Sequence, residues 1–339
     1  MTSEQPALRM PAETDPHERT LMAWPCRADL WGSQLEAARA DYALVADTIA
    51  NFEPVTMIAR PADAEAAAAA CGAGVEVLEL PLDDSWIRDN GPIVAIDDAG
   101  GRTALDFSFN AWGEKYLPYD DDALLVGRWS ASAGLSRRAV PLVLEGGSIA
   151  VDGAGTLLTT EQCLLHLNRN PGRSRVEIEE VLRTELGVTT IIWLPLGLDG
   201  DDDTDGHVDN VAAFACPGVV VAQGCDDPDE PDQERLWANR TVLAEARDAA
   251  GDRLQVVDVG VLPFATVADR RVAVPYLNLY AGNGFVVVPT CGNPADEEML
   301  GVIASAYPGR EVVPVPGAVI AYGGGGPHCI TQQVPAAPE

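Results

Sequence analysis

A unit of strand, tight turn, strand, helix and strand recurs along this chain, and the recurrence limits its fold more than any other feature. The clearest copy has a strand over residues 148–152, a turn at Gly153-Ala154-Gly155 and a returning strand over 156–160. An amphipathic helix over 173–186 and a β-branched apolar strand over 190–194 complete it. A second copy places strands at 210–215 and 219–222, a helix at 232–249 and a strand at 254–259. A third places them at 277–281, 285–289, 295–306 and 311–315, and Asn283-Gly284 is a strong hairpin signal in its turn. Residues 93–96 and 102–107 flank a turn at 98–101, and 140–144 ends that unit. Residues 318–321 begin a last unit that runs out before its helix; the helix over 34–51 and the strand over 55–59 complete it from the other end. Five such units close into a ring, an α/β propeller-like architecture. No linker or low-complexity stretch divides the chain, so residues 1–339 read as one domain, with about 1–15 and 334–339 as flexible tails.

Composition limits the partners. The formal net charge is -30, and Lys115 is the single lysine. Such a chain avoids nucleic acid and anionic membrane, and it draws small cations toward itself. Solubility accounts for most of the charge. The first twenty residues contain no apolar leader, and no apolar run is long enough to cross a bilayer, so the expected location is cytoplasmic. The seven cysteines are scattered and form no C-x-x-C pair, which argues against a disulfide framework or a structural zinc site. Most of them read as small buried hydrophobes.

Four polar motifs stand at matching places in the units. The first, residues 83–92, contains Trp86, Arg88 and Asp89 between two apolar strands. A carboxylate there can hold a cation while the indole packs on it; a surface turn with an internal Arg–Asp pair explains the composition equally well. The second is Leu144-Glu145-Gly146-Gly147, where the glycines permit close backbone approach. By itself it reads as a bulge with an exposed glutamate. The third, residues 199–210, offers Asp201, Asp203, Asp205 and Gly206 in half of a calcium-loop pattern, but the closing position is Ala212, so that reading fails. A solvated acidic loop accounts for residues 199–203 but not for His207 and Asp209. Two apart at a strand entrance, these two face the same way, and a carboxylate beside an imidazole makes a general acid/base. The fourth, residues 322–333, has four glycines and then His328-Cys329. No lysine and no helix follow, which rules against a phosphate loop. A cysteine in so polar and glycine-rich a segment is a candidate nucleophile. Of the four histidines, His328 faces away from Cys329 if the segment is extended. His207 is therefore its expected partner.

Five stretches in this order resemble the agmatine deiminases of the guanidino-group-modifying pentein superfamily: 10–25, 83–92, 144–171, 204–210 and 323–333. The resemblance covers nearly the whole chain. It implies a five-bladed α/β propeller (pentein) of ββαβ units with pseudo-fivefold symmetry. Carried over by motif position, Cys329 is the nucleophile, His207 the acid/base, and Asp89 and Asp209 the guanidinium ligands. Trp86 packs against the substrate, and Glu145 orients the histidine or touches the substrate. The resemblance implies no metal, nucleotide or other cofactor. It implies a small cationic guanidine as substrate and a homodimer as the assembly. Asp205 stands where the family's T-N-G-H pattern carries Asn, and Pro327 replaces an apolar residue; either marks a different tail on the guanidine.

The reaction so implied is agmatine plus water to N-carbamoylputrescine plus ammonia, through a thiouronium on Cys329. Arginine, peptidyl-arginine or another alkylguanidine are alternative substrates. An amidino transfer to an amine, or a non-catalytic acidic binding protein, are alternative functions. The intact set of Cys329, His207, Asp89, Asp209 and Glu145 argues against the last.

Overall fold

The computed structural model describes residues 7–337. Five small sheets arise from the five sequence units, and four of them follow one plan along the chain. Two strands pair antiparallel through a tight turn, a helix crosses over, and a third strand pairs parallel to the second. The unit that opens at Ile149–Val151 continues through Thr156–Thr160, the helix Arg175–Leu186 and Thr190–Leu194. The next runs through Ala212–Cys216, Val219–Gln223, Asp232–Glu245 and Gln255–Val259. The one after it runs through Tyr280–Gly282, Phe285–Thr290, Asp296–Ala306 and Glu311–Pro316. Ile93–Asp97, Arg102–Ser108, the helix Leu125–Ala133 and Ser136–Val143 form another. The fold is thus a five-bladed α/β propeller, with apolar cores packed between sheets and helices.

Local chemistry fixes the helix ends. Ser174 accepts from the Glu177 backbone while the Glu177 carboxylate accepts from the Ser174 backbone, and Gly187 terminates the same helix in the left-handed region.

The fifth blade joins the two ends of the chain, and here the sequence expectation needs correction. Its opening strand is Thr331–Pro335, paired antiparallel with His17–Ala23; the helix Leu35–Ala50, then Val55–Ala59 and Val75–Glu79 complete it. The segment expected as its first strand is a helix, Ala318–Tyr322, which buries Ile320 and Ala321. Over so short an apolar run, periodicity does not separate strand from helix. The expected flexible tails are also corrected where they are described. Leu8–Arg9 pairs with Ile93–Asp97, and Val334 and Pro335 lie within the fifth blade. Residues 1–6 and 338–339 lie outside the described residues. A hairpin that the repeat does not contain, Phe264–Val267 with Arg270–Ala273, packs on the helix Ala318–Tyr322. Among the described residues no helix is long and apolar enough to cross a membrane.

Candidate active site

Each blade enters its first strand through a short turn, and each turn contributes a polar side chain to one place. Asp89 lies in the helical turn Ile87–Asn90, before Ile93–Asp97. Glu145 precedes the turn Gly146–Ser148. His207 precedes, and Asp209 lies in, the turn Val208–Asn210. Asn278 ends a turn closed by its amide on the Pro275 carbonyl, and Cys329 lies in the turn closed by the Ile330 amide on Gly326. His207 and Asp209 therefore reach the same place from a 3₁₀ turn and not from a shared strand face.

Gly147 marks where the groups converge. A Cβ on it would lie 2.5 Å from His207 Nδ1, 2.8 Å from Asp209 Oδ2 and 2.9 Å from Asp89 Oδ1. Its amide donates to Asp89 Oδ1 at 2.9 Å, and Trp112 Nε1 donates to the other oxygen at 2.9 Å. Gly325 backs the thiol in the same way: a Cβ there would lie 2.8 Å from both Cys329 Cβ and Trp86. Those two glycines are required by close approach. A narrow cavity opens onto Cys329 between Trp86, Asp89, Trp112, Tyr116 and Asp203. Trp86 stacks on Trp31 with ring centres 5.8 Å apart, which fixes its plane beside the thiol. A larger groove adjoins the cavity across Asp203 and Gly324.

His207 is fully buried, with Nδ1 3.8 Å from Asp89 Oδ2 and Nε2 3.7 Å from Glu145 Oε2. Burial alone opposes its imidazolium, but Asp89, Cys163 and Glu145 outweigh that and raise its pKa well above the ordinary range. Burial likewise opposes ionisation of Glu145, yet Arg169, at 2.7 Å, and His207 hold its pKa low. Cys329 Sγ lies 3.4 Å from Asp209 Oδ2 and accepts from Asn278 Nδ2 at 3.0 Å. Burial first, and then Asp209 and Asp89, push the thiol well above its usual range.

Sequence reasoning placed Cys329, His207, Glu145, Asp89, Asp209 and Trp86 here, and the fold brings all six together. It missed Asn278, although the turn entering Tyr280–Gly282 occupies the equivalent position in the repeat. It also set His328 aside. The segment turns instead of extending, so His328 bridges Asp209 Oδ2 and Glu13 Oε2, each at 2.9 Å. Burial and Arg88 oppose the His328 cation, and Glu13 and Asp209 raise it. Glu13 itself, despite burial, is held down at about 2 by His328 and Arg88. Asp205 does not face the cavity mouth as a reader of the substrate tail. Its backbone is left-handed, with φ 62°, and its carboxylate binds Lys115 at 2.8 Å and Arg169 at 2.7 Å. Asp and Asn tolerate that conformation, which explains why either occupies the position. The Pro327 carbonyl accepts from Thr331 Oγ1 at 2.7 Å inside the turn that carries Cys329.

The chain is similar to known proteins over nearly its whole length. Agmatine deiminase from Pseudomonas aeruginosa (strain UCBPP-PA14) is 43% identical over 99% of this chain and 97% of that protein. The solved agmatine deiminase of Enterococcus faecalis superposes with a TM-score of 0.94 at 32% identity, covering 97% of this chain and 96% of the other. A substrate-bound variant of the C. jejuni agmatine deiminase gives 0.89 at 26% identity over 99% of both chains. The family model for Porphyromonas-type peptidyl-arginine deiminase matches residues 9–335, and the chain belongs to that family.

Proposed function

We propose that this protein hydrolyses agmatine to N-carbamoylputrescine and ammonia, with Cys329 as nucleophile and His207 as proton carrier. One observation supports the reading: Asp89 from one blade and Asp209 and His207 from another converge on Gly147 of a third, beside the Cys329 sulfur. A planar guanidinium fits between the two carboxylates, and its carbon then faces the sulfur. The same cation offsets the Asp89 and Asp209 charges that keep the thiol protonated, so substrate binding ionises its own nucleophile. The thiolate forms a bond to carbon. His207 Nδ1 gives its proton to a terminal nitrogen, the carbon–nitrogen bond breaks, and ammonia leaves. Water then adds to the thiouronium carbon and His207 takes one of its protons; the carbon–sulfur bond breaks as the remaining hydroxyl proton passes to the departing sulfur, giving the ureido product and the resting thiol. Glu145 keeps His207 cationic for the first step, and Trp86 forms the wall against which the substrate packs.

The far end of the cavity favours agmatine over arginine. Asp203 lines the mouth, and Tyr116 Oη donates to its carboxylate. An ammonium is stabilised beside Asp203, whereas the carboxylate of free arginine is repelled. The reading carries with it a single catalytic domain in a cytoplasmic homodimer, which cell fractionation and sedimentation test.

The decisive experiment incubates the protein with agmatine, arginine and a short arginine peptide, without any amine acceptor, and measures ammonia and ureido product. Agmatine should be preferred, and Asp203→Asn should narrow its advantage over arginine by about tenfold, the equivalent of roughly 1.4 kcal/mol. A Cys329→Ala protein that still releases ammonia at the parent rate would falsify the covalent mechanism.

A further inference from the structure

On the Nε2 side of His207, three donors of different chemistry face one another. Glu145, Cys163 and His207 each offer one ligand atom, and the three atoms lie within 4.8 Å of one another. All three side chains are fully buried. They arrive from separate places: the strand end before Gly146–Ser148, the short helix Glu161–Leu164, and the loop before Val208–Asn210. The Nε2–Oε2 separation of 3.7 Å is too long for a hydrogen bond. It is close to the roughly 3.3–3.8 Å between two ligands of one tetrahedral zinc ion with bonds of about 2.0–2.3 Å. Both ring nitrogens of His207 and Glu145 Oε2 are buried without a hydrogen-bond partner. Arg169 Nε holds the other oxygen, Oε1, at 2.7 Å, which leaves Oε2 turned toward the imidazole.

Sulfur, imidazole and a single carboxylate oxygen select a borderline-soft divalent ion over magnesium or calcium. We infer that Glu145, Cys163 and His207 form a binding site for a zinc-class cation, and that its occupation shuts the enzyme off. Binding ionises the Cys163 thiol and displaces the Nε2 proton of His207, so two protons pass to solvent and affinity rises with pH. With the metal on Nε2, His207 no longer cycles between imidazolium and imidazole, so it cannot give a proton to the departing nitrogen or take one from water. The inhibition rests on the proposed role of His207; the binding does not.

Cobalt(II) is the probe, added to the full chain carrying Cys329→Ser so that the nucleophile cannot supply sulfur. One equivalent should give a sulfur-to-metal charge-transfer band that zinc displaces, and the band should vanish when Cys163→Ser is added. Zinc should inhibit turnover by the parent enzyme at least tenfold more strongly than turnover by its Cys163→Ser variant. A band that survives loss of Cys163, or a folded parent that gives none, overturns the site. If Cys163→Ser does not fold, zinc-edge X-ray absorption on the Cys329→Ser protein decides: one sulfur among nitrogen and oxygen ligands supports the site, and two or more sulfurs overturn it. An intact band in a protein that turns over no guanidine without zinc leaves the metal site standing and sinks the deiminase reading.

Discussion

Burial decides the charge of Asp122. Its Oδ1 accepts from the Asp83 amide at 2.7 Å and the Asp84 amide at 3.2 Å, while Oδ2 is buried without a partner. Burial, then Asp84, raise its pKa to about 8. The folded carboxyl therefore keeps a proton that the unfolded chain loses near pH 4. Its stabilising contribution is fully present below that pH and disappears as pH rises through 8. Asp122→Asn keeps the Oδ1 acceptor without the charge. Denaturant titrations should show it gaining on the parent by roughly 2 kcal/mol between pH 6 and pH 8. At Glu145 the charge works the other way. It is the anion on Nε2 that helps His207 stay protonated. Glu145→Gln should lower kcat by on the order of 10²–10⁴ and move the limb of the pH profile that reports His207 to lower pH. An unchanged profile would remove Glu145 from the machinery.

At the scale of elements, the turns that enter the strands carry the chemistry and the strands carry the packing. Gly147 sits in such a turn with a backbone that any residue can adopt. A methyl group there would occupy the space between His207, Asp209 and Asp89. Gly147→Ala should cost at least about a hundredfold in kcat/KM and only about 1–3 kcal/mol in stability. Steady-state kinetics alongside a thermal melt would separate the two effects. The strands and long helices were legible because hydrophobic periodicity and turn residues mark them. The Thr190–Leu194 strand and the Asn283-Gly284 turn are examples. The helix Ala318–Tyr322 was not legible, because its five residues carry no period and its conformation comes from packing. The hairpin around Ala268 and Asp269 escaped because Ala268 is not a usual choice for the left-handed position it takes, φ 47°, ahead of Asp269 at φ 64°.

The whole molecule closes by pairing its ends, Thr331 with Met22 and Val334 with Arg19, so the nucleophile's turn is held by the first long strand of the chain. Glu13, on the segment before that strand, reaches His328 and Arg88 behind the site. The net charge of -30 surrounds this assembly. Doubly charged agmatine should be steered inward, so its kcat/KM should fall several-fold as salt rises from about 20 to 300 mM. A singly charged alkylguanidine should lose less. Equal salt dependence would assign the acidity to solubility alone.

The sequence by itself determined the repeat, and with it the blades, because strand, turn and helix signals are local and recur. It also marked Cys329, His207 and Asp209 by residue type and spacing, while Glu145, Asp89 and Trp86 were marked by the resemblance of their motifs to a known family. Only the tertiary structure decided how these groups are charged and which neighbours serve them. Asn278 on the thiol, His328 on Asp209 and Arg169 on Glu145 lie 51, 119 and 24 residues from their partners. Contacts at that separation, and the desolvation that sets each pKa, exist only once the ring has closed.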